Sequence, residues 1–196
     1  MKKNIILCGV GGQGTVLASR LIAAAAMTKG LPIRTAETIG MAQRGGSVFS
    51  HIRIGEGVSS PLVARGEADL IIGFEPGEAV RMLPYLKRGG AVVVSDAPVM
   101  PVSAMIGKST YKAEEMIQYL KENAGDLIVV DAGRAERELG SSRILNVVLL
   151  GAALKSGELG LAREDIEEAI RQRVPAKYVE MNLAALGGDF CPADTE

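Results

Sequence analysis

The chain has no tryptophan, one histidine and two cysteines in 196 residues, and aromatics make up only 4%. A core without large rings has to be aliphatic, and hydrophobic residues reach 47%. Such Ile, Val, Leu and Ala cores suit helices packed on a buried sheet. Cys8 and Cys191 stand far apart in the sequence, which excludes a disulfide framework, a CxxC motif and iron–sulfur ligand spacing. Lysine and arginine total 22 against 23 aspartates and glutamates. No global field therefore draws nucleic acid or an anionic membrane, and any anion site has to be local. No apolar run approaches the ~20 residues of a membrane span. Lys2-Lys3 ahead of an apolar stretch imitates a signal peptide, but glycines break the run after Cys8 and Arg20 interrupts the next. The expectation is a cytoplasmic protein with reduced thiols.

What is present starts with Gly9-Val10-Gly11-Gly12-Gln13-Gly14, between the apolar run Ile5-Ile6-Leu7-Cys8 and a helical pattern over 15–29. Strand, glycine turn and helix in that order let a backbone approach a diphosphate closely, and the helix start offers free N–H groups and a positive dipole end. Two readings stay open: a bound nucleotide or diphosphate, or a turn needed only for helix–sheet packing. Gln13 stands where dinucleotide fingerprints often carry a small residue. Its amide is available to a ligand, to a neighbouring chain or to solvent. Glu37, 23 residues beyond Gly14, falls near the ~20-residue spacing of a ribose-binding acid. That spacing keeps a stand-alone NAD(P)-dependent dehydrogenase as the alternative.

The remaining pattern predicts strands over 31–36 and 47–54, a turn at Gly55-Glu56-Gly57 and a returning edge strand over 58–63 that contains Pro61. Buried strands are expected at 70–74, 91–95 and 127–131, and helices at 75–87 (interrupted by Pro84), 113–123, 143–155, 163–173 and 177–186. The architecture implied is α/β: a three-layer Rossmann-like domain over 1–187 with a mostly parallel, partly mixed sheet that includes one β-hairpin. Residues 188–196 are expected to fray.

A second constellation is Gln43-Arg44-Gly45-Gly46-Ser47. A guanidinium fork, glycines that bare their N–H groups and a hydroxyl make good anion chemistry. They serve equally as an ion-paired arginine beside a bulge. Glu75 follows a buried strand, where it either faces a ligand crevice or, as we favour, caps the next helix. Asn146 is polar inside an apolar helix, as an interface contact or an internal hydrogen bond. His51 has no partner at a telling spacing and is expected to be structural. No metal-ligand set and no catalytic acid/base pair is evident.

Gly9 to Gly14, Glu37-Thr-Ile-Gly-Met-Ala-Gln-Arg-Gly-Gly-Ser47 and Ser50-His-Ile-Arg53 together resemble the gamma-type domain of 2-oxoacid:ferredoxin oxidoreductases. Phe74-Glu-Pro-Gly-Glu78, Leu83-Pro-Tyr-Leu-Lys87 with Gly89-Gly90, and Asn146-Val-Val-Leu-Leu-Gly151 extend the resemblance. Arg173-Val-Pro-Ala-Lys177 with Asn182 is similar to the small beta subunits of its indolepyruvate branch. The resemblance implies a subunit without clusters or catalytic residues of its own. The holoenzymes oxidatively decarboxylate arylpyruvates to aryl-acetyl-CoA and CO2 and pass electrons to ferredoxin. Thiamine diphosphate, Mg2+ and iron–sulfur clusters are implied in a larger alpha subunit, with ferredoxin reached through it and coenzyme A shared between the chains. Carried over, Gly9, Gly11, Gly12, Gln13, Gly14 and Thr15 with Gln43, Arg44, Gly45, Gly46 and Ser47 would line the shared crevice. A thiamine site needs Gly-Asp-Gly and a downstream Asn; Gly188-Asp189-Phe190 is a poor match at the very end of the chain.

Overall fold

A computed structural model describes residues 2–38, 46–100, 107 and 110–191. Six strands form one sheet in the order β2-β3-β1-β4-β5-β6. β1 (Lys3–Val10), β4 (Ala68–Gly73), β5 (Leu86–Ser95) and β6 (Asp126–Val130) run parallel. β3 (Ser47–Ile54) is antiparallel to β1 on one side and to β2 (Ile33–Thr38) on the other.

The period-two alternation of strand side chains sorts the core onto two faces. Ile5 and Leu7 of β1 point into one core cluster and Ile6 and Cys8 into the other. The first face is covered by α1 (Thr15–Thr28), α4 (Ala132–Leu139), α5 (Leu145–Lys155), α6 (Arg163–Arg173) and α7 (Ala176–Gly187). The second carries α2 (Pro76–Met82) and α3 (Ala113–Asn123). Three layers result, as the composition predicts.

α1 shows why the sequence folds this way. Ala24, Ala25 and Ala26 are buried, and their small side chains let the helix lie close on the sheet. It ends in a Schellman motif: Gly30 at φ 69° donates its N–H to Met27 O, and Leu31 donates to Ala26 O. α4, which periodicity alone does not isolate, is bounded by legible signals. Asp131 accepts the Arg134 N–H at 2.7 Å at its start, and Gly140 takes φ 73° at its end.

Three local expectations change. The hairpin is present, but it joins β3 to β2; residues 58–63 form no strand. Pro61 has no N–H to donate, and side chains take the backbone groups a ladder would use. Arg53 donates to the carbonyls of Ser60 and Leu62, both at 3.2 Å, and His51 Nδ1 accepts the Val63 N–H at 3.2 Å. β5 begins at Leu86 rather than near 91, with a register irregularity opposite Ala68 and Leu70. Where fraying is expected from Gly188, Phe190 is instead buried, and its carbonyl accepts the Asp131 N–H at 2.8 Å.

Candidate functional site: the glycine turn at the carboxyl end of the sheet

β1 and β4 are parallel neighbours, so the turns leaving their carboxyl ends meet in one place, where open α/β sheets hold ligands. The Gly9–Gly14 turn leaves the end of β1; Gly9 itself is buried in the strand, where an added Cβ would meet Gln13 at 2.7 Å and Phe74 at 2.8 Å. Gly12 takes φ 104° and a side chain added there would meet nothing within 4 Å; it is a left-handed turn residue facing open space. Gly14, at φ 84°, is the cap of α1, and its missing Cβ leaves room for the Asn146 amide, which would otherwise sit at 2.9 Å. Gly14 therefore serves packing, whereas Gly12 faces open space. α1 begins with no side-chain cap and no acidic residue in its first turn. The first N–H groups of such a helix have no intrahelical acceptor, and they carry the positive end of its dipole.

Gln13 does not project freely. Its Oε1 accepts the Val10 N–H at 2.8 Å and its Nε2 donates to Phe74 O at 2.9 Å. The amide laces the end of β1 to the end of β4. Thr15 is buried behind the turn.

The end of the Gln43–Ser47 segment is reached through β3. Val10 pairs with Ser47 at the end of the β1–β3 ladder, and the Gly11 N–H donates to Gly46 O at 2.9 Å. The end of the Gln43–Ser47 segment is thereby bonded to the middle of the glycine loop. Gln43, Arg44 and Gly45 lie outside the described residues.

Beneath this junction sits a polar cluster that sequence reasoning only partly finds. Glu75 caps α2, accepting the Glu78 N–H at 2.9 Å, which is the role favoured for it. Glu78, buried, accepts the Ser47 hydroxyl at 2.5 Å and faces Arg81 at 3.4 Å. The Tyr111 hydroxyl donates to Glu75 and accepts the Gly77 N–H at 3.1 Å. Burial, then the Glu75 carboxylate, push the Tyr111 phenol well above its ordinary range, so it stays protonated. Glu78 belongs to a recognised segment, whereas Tyr111 lies in a loop with no sequence signal at all. Together the two carboxylates fasten Ser47 and Tyr111 on either side of α2.

Cys8 and His51, the thiol and imidazole nearest this cluster among the described residues, are both buried in the fold. Burial, then Glu78 and Glu75, raise the Cys8 thiol well above its ordinary range, and Cys8 donates weakly to Ile72 O. His51 is buried between the edges of Phe49 and Tyr85, and that burial lowers its pKa. Among the described residues no group of three His, Cys, Asp or Glu side chains is placed to hold a metal ion.

Glu37 argues against a dinucleotide. It lies exposed on β2, the outermost strand, with β3 between it and β1. In the dinucleotide fold the strand carrying the ribose acid is the direct neighbour of β1. Here it stands two strand spacings away, roughly 10 Å. The dehydrogenase alternative loses its geometric basis.

Comparison with known proteins agrees with this architecture. The family described as Pyruvate ferredoxin/flavodoxin oxidoreductase matches residues 4–187. The chain is 40% identical over 184 residues to indolepyruvate oxidoreductase subunit IorB of Thermococcus kodakarensis, covering 93% of this chain and 91% of that one. In fold it is similar to the gamma subunit of a keto/oxoacid ferredoxin oxidoreductase from Geobacter sulfurreducens (TM-score 0.68, 24% identity, 94% of each chain). It is also similar to 2-oxoglutarate:ferredoxin oxidoreductase from Magnetococcus marinus, solved with 2-oxoglutarate, coenzyme A and succinyl-CoA bound (TM-score 0.68, 22% identity). That likeness covers 94% of this chain but 30% of the other, so in that protein the same fold is one part of a longer polypeptide. With its match spanning nearly the whole domain, the chain belongs to the pyruvate ferredoxin/flavodoxin oxidoreductase family.

Proposed function

We propose that this chain is the small, cluster-free subunit of a thiamine diphosphate-dependent indolepyruvate:ferredoxin oxidoreductase. It completes a coenzyme A crevice whose other half belongs to a larger alpha subunit. The observation that carries the site is the Gly11–Gly46 main-chain bond, because it joins the glycine turn to the segment bearing Arg44. The chain's own contribution is electrostatic and positional. The uncapped start of α1 and the open backbone at Gly12 fit an anionic diphosphate, and Arg44 would add a bidentate cation. Ser47, held by Glu78, fixes where that segment leaves the sheet. Coenzyme A, when bound, supplies the thiol that receives the aryl-acetyl group.

The division of labour is supported by what the remaining residues do. Asp189 is ion-paired with Lys155 at 2.9 Å and Phe190 is in the core, so Gly188-Asp189-Phe190 serves the fold. Cys8 is buried in the sheet. The thiamine, Mg2+ and iron–sulfur chemistry, and the route to ferredoxin, fall to the partner.

Reconstitution tests this reading. Viologen reduction with indolepyruvate and coenzyme A is expected only when both subunits are combined. Arg44→Ala should raise KM for coenzyme A about tenfold or more, the scale of one lost charge-assisted contact. A large subunit fully active by itself would end the subunit reading, and an unchanged KM would remove Arg44 from the crevice.

A further inference from the structure

The Arg173–Lys177 segment, Asn146 and Asn182 are set apart by resemblance, yet the crevice uses none of them as an anion ligand. The fold gathers them around a separate cavity of about 570 Å³, between the first turns of α1, α5 and α7 and the chain leaving α6. Small-ligand sites typically span roughly 300–1,000 Å³.

The lining has a definite chemistry. Leu17, Ile144, Val174 and Met181 give it apolar walls, Arg143 and Arg173 give it positive charge, and among the described residues no carboxylate lines it. Among the described residues neither arginine is in an ion pair, whereas Arg163 and Arg171 of α6 both pair with Glu167. Leu17 and Tyr178 are 37% and 43% exposed, so two large apolar side chains are left open to water at the same mouth. Lys177 Nζ lies 4.8 Å from the centroid of the Tyr178 ring and adds a third cation at the rim.

An apolar interior suits a nonpolar body, and two exposed guanidiniums with no ion pair among the described residues suit an anion. A guanidinium meets a carboxylate through a two-point fork and stacks its plane on a flat ring. We infer that this cavity binds a planar aryl carboxylate, with the ring among Leu17, Ile144 and Met181 and the carboxylate at Arg143 and Arg173. The choice of an aryl group, and of indole among aryl groups, rests on the function proposed above; the cavity's preference for an apolar anion does not.

The absence of tryptophan makes the test direct, because indole fluorescence belongs wholly to the probe. Titrating the full chain into indole-3-acetate should give a saturable rise in anisotropy. In the double variant Arg143→Gln/Arg173→Gln the dissociation constant should rise about tenfold or more. Both side chains are exposed, and an unchanged circular dichroism spectrum confirms that the variant is folded. Arg88→Gln, exposed on β5 away from the cavity, should bind like the parent. Phenylacetate should displace the probe far better than inorganic phosphate. No saturable signal, equal binding by the double variant, or displacement by phosphate as effective as by phenylacetate would each overturn the assignment. Because the assay needs no partner, its failure leaves the reconstitution result standing, and failure of reconstitution leaves this one.

Discussion

Gly12 and His51 show how differently single residues of this chain answer to their surroundings. At Gly12 the space is open but the backbone is left-handed, so a β-branched side chain is strained by roughly 1–3 kcal/mol and would also fill the approach to the proposed crevice. Gly12→Val is expected to lower stability by that amount in urea titration and to abolish turnover of the reconstituted enzyme. Normal assembly and turnover would count against the crevice. His51 carries its consequence in pH. Burial lowers its pKa in the folded chain below the ordinary 6.5, so the unfolded chain binds the extra proton more readily. The stability it contributes is complete above that value and is lost as pH falls through it toward the folded pKa. Replacing it in His51→Gln should flatten the pH dependence of unfolding between about pH 5 and 7. An unaltered slope would show that other groups set it. The spacing of the glycines is legible in the sequence, but which glycine is for packing is not. Gly14 is required by Asn146, a residue of α5 that only folding brings alongside.

Among the elements, α5 explains the Asn146-to-Gly151 run. Asn146 meets the start of α1, and at Gly151 an added Cβ would sit 2.5 Å from the Leu186 carbonyl oxygen of α7. Backbone cannot yield as a flexible side chain does, so Gly151→Ala forces α5 and α7 apart. The expected loss is about 1–3 kcal/mol, read as a lower urea midpoint with an unchanged slope. A midpoint equal to the parent's would mean that α7 shifts freely. The strands carry a complementary lesson. Those buried on both faces are plain as short apolar runs, whereas the pairing of β3 is not, because alternation fixes which face a residue takes and says nothing about the neighbour. Residues 58–63 have strand-like composition, but Arg53 and His51 satisfy their backbone first.

At the scale of the whole molecule, the insertion of antiparallel β3 beside β1 separates this domain from a dinucleotide-binding one. The isolated chain should therefore give no enhancement of NADH fluorescence, and Glu37→Ala should change nothing. Enhancement lost in that variant would restore the dehydrogenase reading. No helix among the described residues is long and apolar enough to cross a membrane, in line with the interrupted apolar runs. The three-layer α/β class, most of the helices and the glycine turn follow from the sequence by itself, because periodicity, caps and turn glycines act over a few residues. Strand order, the internal bonding of Gln13, the Glu75–Tyr111 and Glu78–Ser47 contacts and the arginine-rimmed cavity were decided only by the tertiary structure. Each joins segments far apart in the chain, and no local pattern records which distant group will satisfy a buried donor or acceptor.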